Sequence, residues 1–562
     1  MNSQVPSARR DLGLLLLAGV VLIAAGIGLR DPWPADEPVY ALLARTMLRT
    51  GHWLIPMVGG GFFPDKPPLL FWLQGFCYWL TGSERVGFLL PSLLAGLGTL
   101  ALVYDLGRRL WNREAGWYAA WLLLFTVQFT LQARRGQQDA LLMFCTVLSL
   151  YCLLRQLLLD GGWWWVVGAG LAAGFGTLAK VVGFLSCFVL VPWLYAVWRG
   201  WPGVKWQRPL AMWLLGPAAW GIVVGAWLLP IWLQARHDAA IAGYFHELVV
   251  TQTFGRYVAP WHHFMPAWYY LQVMATLWLP AVALLPWLVP RWKAALARRE
   301  ARVLLPLGFV VLYVLFFTLS RGKRDVYLLS ALPMLVLPAG YLMPELLQRR
   351  GVQWLLRGLV VLVIAACAGL FAWVRWIDPA RGAALLASGG VTSAAPLAAL
   401  ALAALAALLA WGRRGAQHAL AITLAAGWLI AALWIFPQMD GTRSARDFIA
   451  RLERVAPPGL ALGLLAYHED FLWQLHRPSV NFGNRRFREG EQEAYDAAAW
   501  LNAAADRQLL VPAAMLALCF ATASHIEDVG RASGADWYLV RGSPSAGCVA
   551  RGNAGRALYY AP

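Results

Sequence analysis

The sequence predicts an α-helical polytopic membrane protein, and three observations carry that prediction. Of 562 residues, 60% are hydrophobic and only 14% are charged, which excludes an ordinary water-soluble globular chain. A bilayer core takes about 20 apolar residues per helix, and runs of that order recur through the first 437 residues. Arg and Lys concentrate in alternate loops between those runs, as the positive-inside bias requires.

The first run, "LGLLLLAGVVLIAAGIGL" at 12–29, is long for the core of a cleaved signal peptide and is read as a membrane helix. Further helices are expected at 86–107, 116–133, 140–154, 163–178, 181–197, 212–232, 266–289, 303–319, 326–343, 358–374, 396–411 and 419–436, about thirteen in all. An odd number sends the two ends of the chain to opposite faces. Trp163, Trp164, Trp165, Trp193 and Trp198 cluster near predicted helix ends, where amphipathic rings suit headgroup depth. With the N-terminus inside, the inner loops hold Arg108, Arg109 and Arg113, then Arg199, Lys205 and Arg208, then the run from Arg291 to Arg302. Later inner loops hold Arg349, Arg350 and Arg357, then Arg413 and Arg414. The C-terminus is therefore expected outside, in the periplasm if the cell is Gram-negative.

The first outer loop, "DPWPADEPVYALLARTMLRTGHWLIPMVGGGFFPDKPPLLFWL" at 31–73, is large and too apolar for disorder. Two amphipathic runs within it, "VYALLARTMLRTG" and "PLLFWLQGFCYWLTG", predict short helices along the membrane interface, the second started by Pro67 and Pro68. Several cations break the positive-inside rule on this face: Lys66, Arg134, Arg135, Lys180, Arg321, Lys323 and Arg324. They are interleaved with Asp36, Glu37, Asp65, Asp139 and Asp325. Cations kept on the disfavoured side need an anionic reason. An anionic ligand is one such reason; headgroup contact, or pairing with those carboxylates, is the other.

The pattern "DEPVYALLARTML", "GHWLIP", "FFPDKPPLLFWL" resembles the first outer loop of glycosyltransferases of the C superfamily, membrane enzymes that take a sugar from a polyprenyl-phosphate donor. With "RRGQQDALLMF", "GTLAKVVGFL", "WHHFMPAWYYLQ" and "SRGKRDVYLLSALPML", the chain is most similar to the 4-amino-4-deoxy-L-arabinose lipid A transferases, over about residues 10–350. The resemblance implies transfer of that aminopentose from undecaprenyl phosphate to a lipid A phosphate, conferring resistance to polymyxin and cationic peptides. It implies catalytic roles for Asp36 and Asp139, with Glu37 beside them. Lys66, Arg134, Lys180, Arg256, Arg321, Lys323 and Tyr327 are implied to bind the donor phosphate. Val181 follows Lys180 where the pattern calls for Gly. The implied partners are the lipid-linked sugar, lipid A and membrane lipids, with no nucleic acid and a monomeric chain. Related enzymes acting on protein or another glycan share most of these motifs. An anionic-lipid transporter is the reading from a different class; it should show paired repeats with broken helices and charges near the midplane, whereas here the charges gather at one face.

The chemistry agrees with that resemblance. A departing phosphate is stabilised by positioned cations. A lipid A phosphate monoester has a second pKa of about 6, so it is a nucleophile near neutral pH and needs no strong general base. Asp36 is then an orienting or electrostatic group; a hydroxyl acceptor would make it the base. No cofactor is required by this chemistry. His246, His262 and His263 share one outer loop and are the candidate ligands for a divalent metal such as zinc, although their spacing matches no metal motif. After "FPQMDGTRSARDFIARLERVAPPG" the composition shifts, and 438–562 is expected to be a small α/β domain outside the membrane, following a transmembrane domain at 1–437. Cys519 and Cys548 lie in that domain, in a compartment that permits a disulfide. Cys77, Cys145, Cys152, Cys187 and Cys367 are expected to be packing residues in or near membrane helices.

Overall fold

The structure is a computed structural model that describes residues 5–159, 161–206, 209–255, 264–483 and 489–561. Among the described residues, eight helices are long and apolar enough to cross a membrane, or nine if a bent pair is one span. The other four predicted runs are also helical, as Val5–Ala24, Arg113–Leu124 followed by Val127–Ala133, Trp164–Ala179 and Ala395–Trp411. These are shorter, or carry charges near one end.

Several boundaries differ from expectation for identifiable reasons. The first helix stops at Ala24 rather than residue 29, because Gly26 and Gly28 adopt positive φ of 79° and 83°, which ends a helix at little cost only in glycine. The run expected at 266–289 is broken: Tyr269–Leu277 and Val282–Ala297 meet at 97°, with Pro280 in the break, where a helical hydrogen bond is lost. At 181–197 the chain leaves an extended Lys180 as a 3-10 helix, Val181–Val189, before turning α-helical over Leu190–Trp198.

The two helices of the first loop form as Glu37–Thr50 and Leu69–Thr81, each closed by a left-handed glycine, Gly51 and Gly82. Only the second has the exposed apolar face expected of an interfacial helix, through Phe76, Trp79 and Leu80. Glu37–Thr50 is buried along most of its length because the C-terminal region covers it. Between them lies a hairpin that the apolar pattern did not predict, β1 (Met57–Val58) and β2 (Gly61–Phe62). Gly59 and Gly60 turn it with φ of 59° and 85°, the two positive values that a tight hairpin loop requires. Gly59 is also a close approach: a Cβ there would stand 2.5 Å from the Tyr467 ring.

The C-terminal region is α/β as expected. Its six strands are β3 (Ala461–Leu464), β4 (Ser479–Asn481), β5 (Arg507–Pro512), β6 (His525–Ala532), β7 (Ala535–Arg541) and β8 (Leu558–Tyr560), in the order β6-β7-β5-β3-β4-β8. β3 pairs in parallel with β4 and β5, and the outer pairings are antiparallel. Cys519 and Cys548 are joined in a disulfide. The helical run from the last apolar helix continues past 437 to Arg443, so the passage between the two regions is helix rather than a loose linker. One apolar core spans the junction: Val39, Leu42 and Leu43 share it with Phe448, Phe471 and Trp537.

A polar knot sits beside that core. Asp31, 2% exposed, accepts from Arg85 Nε at 2.6 Å, Arg446 Nε at 2.9 Å and Gln474 Nε2 at 3.0 Å. Its own N–H donates to Asp440 Oδ1 at 2.8 Å. Burial acts to raise the Asp31 carboxyl, but Arg85, Gln474 and Arg446 outweigh it and hold it below the ordinary value. Asp31→Ala strands two guanidiniums that keep some solvent, so it should cost about 3 kcal/mol, the low end for breaking a buried pair. Thermal unfolding in detergent, followed by protease release of the C-terminal domain, measures this. Because the folded pKa is depressed, the Asp31 contribution is complete above the unfolded value of about 3.9 and is lost as pH falls through the folded one. The gap between wild type and variant should therefore close only in strong acid.

Candidate active site

Asp36 stands at the N-terminal end of helix Glu37–Thr50, where the loop turns toward the bundle. Its Oδ2 accepts from Arg324 Nη2 at 2.7 Å and Gln137 Nε2 at 3.1 Å. Burial would raise its pKa, yet Arg324, then Lys66 and Lys180, hold it below the ordinary carboxylate value. Asp36 is thus an ionised carboxylate inside a ring of cations.

Asp139 belongs to the same constellation. It lies in the first turn of helix Gln138–Leu158 and accepts from Lys180 Nζ at 2.7 Å. That ammonium also sits 4.5 Å from the centre of the Tyr327 ring, a cation–π contact. Val181 does not spoil the turn at Lys180. The tight approach is supplied two residues later by Gly183, where a Cβ would overlap the backbone of Gly176. Asp65 accepts from Gln252 Nε2 at 3.0 Å, which ties the loop carrying Lys66 to the helical segment Glu247–Gly255.

Other residues singled out from sequence do different work. Glu37, 4% exposed, accepts two hydrogen bonds from Arg30, at 2.5 and 2.8 Å, and one each from the Trp33 and Gly136 amides. Its oxygens are fully engaged, so it anchors the loop rather than reaching a substrate. Arg134 donates to the carbonyls of Leu22 and Ala25 at the end of the first helix, and burial, with the nearby Arg30, pushes its pKa down to about 10. Lys323, 4% exposed, donates to the Ser320 carbonyl at 2.6 Å and the Met265 carbonyl at 3.3 Å, and burial lowers its pKa. The basic turn therefore presents Arg324, not Lys323, to Asp36. Arg321 is exposed. Arg256, His262 and His263 lie outside the described residues. His246 is exposed, and among the described residues no group of three His, Cys, Asp or Glu could hold a metal.

Sequence reading underrated Arg324 and missed Gln137 and Glu469. Gln137 precedes Asp139 in "RRGQQDALLMF", so its neighbourhood was a signal. Glu469 carried none. It begins a short helix, Glu469–Gln474, against helix Glu37–Thr50; burial, then Asp470 and Asp36, raise its carboxyl pKa. Chemically, the ring around Asp36 can stabilise positive charge developing on a sugar carbon through the carboxylate, and negative charge on a departing phosphate through Lys66, Lys180 and Arg324.

The family model described as dolichyl-phosphate-mannose-protein mannosyltransferase matches residues 65–229. The chain is 30% identical over 381 residues to the undecaprenyl phosphate-alpha-4-amino-4-deoxy-L-arabinose arabinosyl transferase of Pseudomonas aeruginosa, covering 65% of this chain and 66% of that protein. It is 29% identical over 378 residues to a protein of the same name, numbered 2, from Sodalis glossinidius, covering 64% and 65%. The match thus spans just under two thirds of these relatives' length. In fold, the chain resembles ArnT from Cupriavidus metallidurans bound to undecaprenyl phosphate, with a TM-score of 0.74, 19% identity and coverage of 93% of this chain and 96% of that one. The chain is thus similar in sequence to the 4-amino-4-deoxy-L-arabinose transferases over about two thirds of its length, and it shares the fold of ArnT.

Proposed function

We propose that the protein transfers 4-amino-4-deoxy-L-arabinose from undecaprenyl phosphate to a phosphate of lipid A. The observation that carries this reading is Asp36, ionised and ringed by Arg324, Lys66 and Lys180. An acceptor phosphate is already a nucleophile near neutral pH, so Asp36 needs no proton affinity. Its depressed pKa suits an electrostatic partner for the sugar's developing cation and is poor for a general base. Lys66 and Lys180 neutralise the departing phosphate, with Asp139 and Tyr327 positioning Lys180. The charge on the leaving group is thereby assigned to side chains, and no step is routed through a metal. The match of residues 65–229 to the protein mannosyltransferase model favours the second reading, a hydroxyl acceptor on protein, for which Asp36 would have to accept a proton.

The reading places the nine long apolar spans together with the four shorter helical runs as thirteen crossings in a bacterial inner membrane. The site and the 438–562 domain then face the periplasm, and the disulfide joining Cys519 and Cys548 accords with an oxidising compartment. The protein acts as a monomer.

Three outcomes are expected. Asp36→Ala should lower transfer in a purified assay at least 100-fold without loss of folded protein, and should fail to restore polymyxin survival to a deletion strain that makes the donor. Capping phosphates with an aminosugar removes attraction for polycations, so the difference should be largest in low salt. Equal survival with the intact and Asp36→Ala genes would favour the protein acceptor.

Arg324→Ala removes the strongest influence lowering the Asp36 pKa. Burial then prevails more, the pKa rises, and the acid limb of the pH–rate profile should move to higher pH. The ratio of kcat/KM at pH 5.5 to that at pH 8 should fall below wild type; superimposable profiles would detach Arg324 from Asp36.

A C-terminal alkaline phosphatase fusion should be active. An inactive fusion alongside an active cytoplasmic reporter would reverse the orientation.

A further inference from the structure

The cations around Asp36 answer the phosphate of the donor and leave its sugar unaddressed. In the donor proposed above, the amine on C4 is protonated near neutral pH and stands across the pyranose ring from the reacting carbon. An ammonium taken out of water needs an anion of its own. Three carboxylates of the membrane region are already matched: Asp36 by Arg324, Asp139 by Lys180 and Glu37 by Arg30. Glu469 is different. It comes from the C-terminal region, and no Lys or Arg pairs with it among the described residues.

The fold brings Glu469 to Asp36 by packing one helix on another. Its helix, Glu469–Gln474, lays Phe471 and Leu472 into the core shared with Val39 and Leu42 of helix Glu37–Thr50, whose first residue follows Asp36. At the far end Gln474 donates to Asp31 at 3.0 Å, which fixes the helix along its length. The chain reaches this helix from β3 by a sharp turn at Ala466, whose φ is 62° and whose N–H donates to Glu493 Oε1 at 3.0 Å. A left-handed alanine is held only where the surrounding structure demands it. The residues on either side of Glu469 are engaged elsewhere. His468 stacks on Phe471 with ring centres 4.9 Å apart, and Asp470 accepts from Ser533 Oγ at 2.7 Å. Glu469 is met only by its own N–H.

Burial raises the Glu469 carboxyl most; its own N–H and His468 offset part of that, and Asp470 and Asp36 add to it. Two carboxylates whose charges oppose each other, Asp36 and Glu469, are stabilised together by a cation placed between them. Tyr467 is a separate observation that points to the same ligand. Its hydroxyl is buried without a hydrogen bond, its charge couples to Glu469, and a hydroxyl in that state is costly until a polar group meets it. We propose that Glu469 is the specificity residue for the amino group of the donor sugar, pairing with its ammonium so that the C-terminal domain selects an aminosugar over its neutral counterpart. The inference rests on the transferase reading given above and assigns no step of the chemistry to Glu469. A neutral sugar would leave the carboxylate buried and unpaired, which is how a site rejects a ligand of the right shape.

The test uses the full chain in phosphatidylcholine nanodiscs with two donors, the undecaprenyl phosphate-linked aminopentose and the corresponding 4-hydroxy pentose, of similar size without the cation. Wild type should favour the amino donor by about tenfold or more in kcat/KM, the scale of a hydrogen bond to a charged group. Glu469→Gln keeps the shape and removes the charge; it should bring the two donors to within about threefold of each other, chiefly through the KM of the amino donor. Its affinity for undecaprenyl phosphate itself should match wild type. Glu469→Asp, which keeps the charge on a shorter stem, should retain an intermediate preference and guards against misfolding. An unchanged preference in Glu469→Gln overturns the assignment. So does an equal loss with both donors, which would place Glu469 in the chemistry or the fold, or equal use of both donors by wild type. Binding of the two donors is also measured without an acceptor. A Glu469-dependent preference for the amino donor there, with no transfer to lipid A, would support the subsite while removing the transferase reading.

Discussion

A carboxylate taken out of water must be met by a cation or lose its charge, and the arrangement of this protein follows from how its first loop meets that constraint. Four acidic groups in or beside the loop are each matched by a base from elsewhere in the chain. Glu37 is matched by Arg30, Asp36 by Arg324, Asp139 by Lys180, and Asp31 by Arg85 and Arg446. Four of these five bases come from positions more than 40 residues away, so those pairs are formed only when the bundle has assembled. Pairing of this kind gives register rather than large net stability, since desolvation offsets much of the Coulomb attraction.

The same constraint separates structural charge from reactive charge. Glu37 is saturated by four hydrogen bonds and Lys323 is turned onto carbonyls, which leaves neither with capacity for a ligand. Asp36 and Arg324 keep partial exposure and unused bonding capacity. Cations on the face disfavoured by the positive-inside rule therefore have two explanations at once. Some pair with neighbouring carboxylates or carbonyls, and others surround Asp36, which stays partly exposed.

The C-terminal domain takes part in this through contact. Its apolar residues Phe448, Phe471 and Trp537 complete the core over helix Glu37–Thr50, Arg446 and Gln474 close the knot on Asp31, and Asn481 donates to the Gly59 carbonyl at 3.1 Å. The hairpin tip and the start of the Asp36 helix are thus clamped from above, which explains how a loop of more than thirty residues holds a carboxylate in one place. It also explains why the first amphipathic helix is buried while the second keeps Phe76, Trp79 and Leu80 exposed.

By itself, the sequence determined what depends on local pattern. Apolar runs specify helices because a backbone in hydrocarbon must satisfy its own hydrogen bonds; paired prolines and glycines bounded the loop helices; and the ordered motifs carried the family resemblance and singled out Asp36, Asp139, Lys66 and Lys180 as candidates. Only the tertiary structure decided which cation reaches which anion. Lys323 and Arg324 are adjacent in sequence and equally basic, yet the extended turn at Arg324 sends one to carbonyls and the other to Asp36. Glu37 and Asp36 are likewise adjacent, and the start of a helix directs them to opposite neighbours. Pairing across a hundred or more residues is a property of packed elements, and no local pattern encodes it.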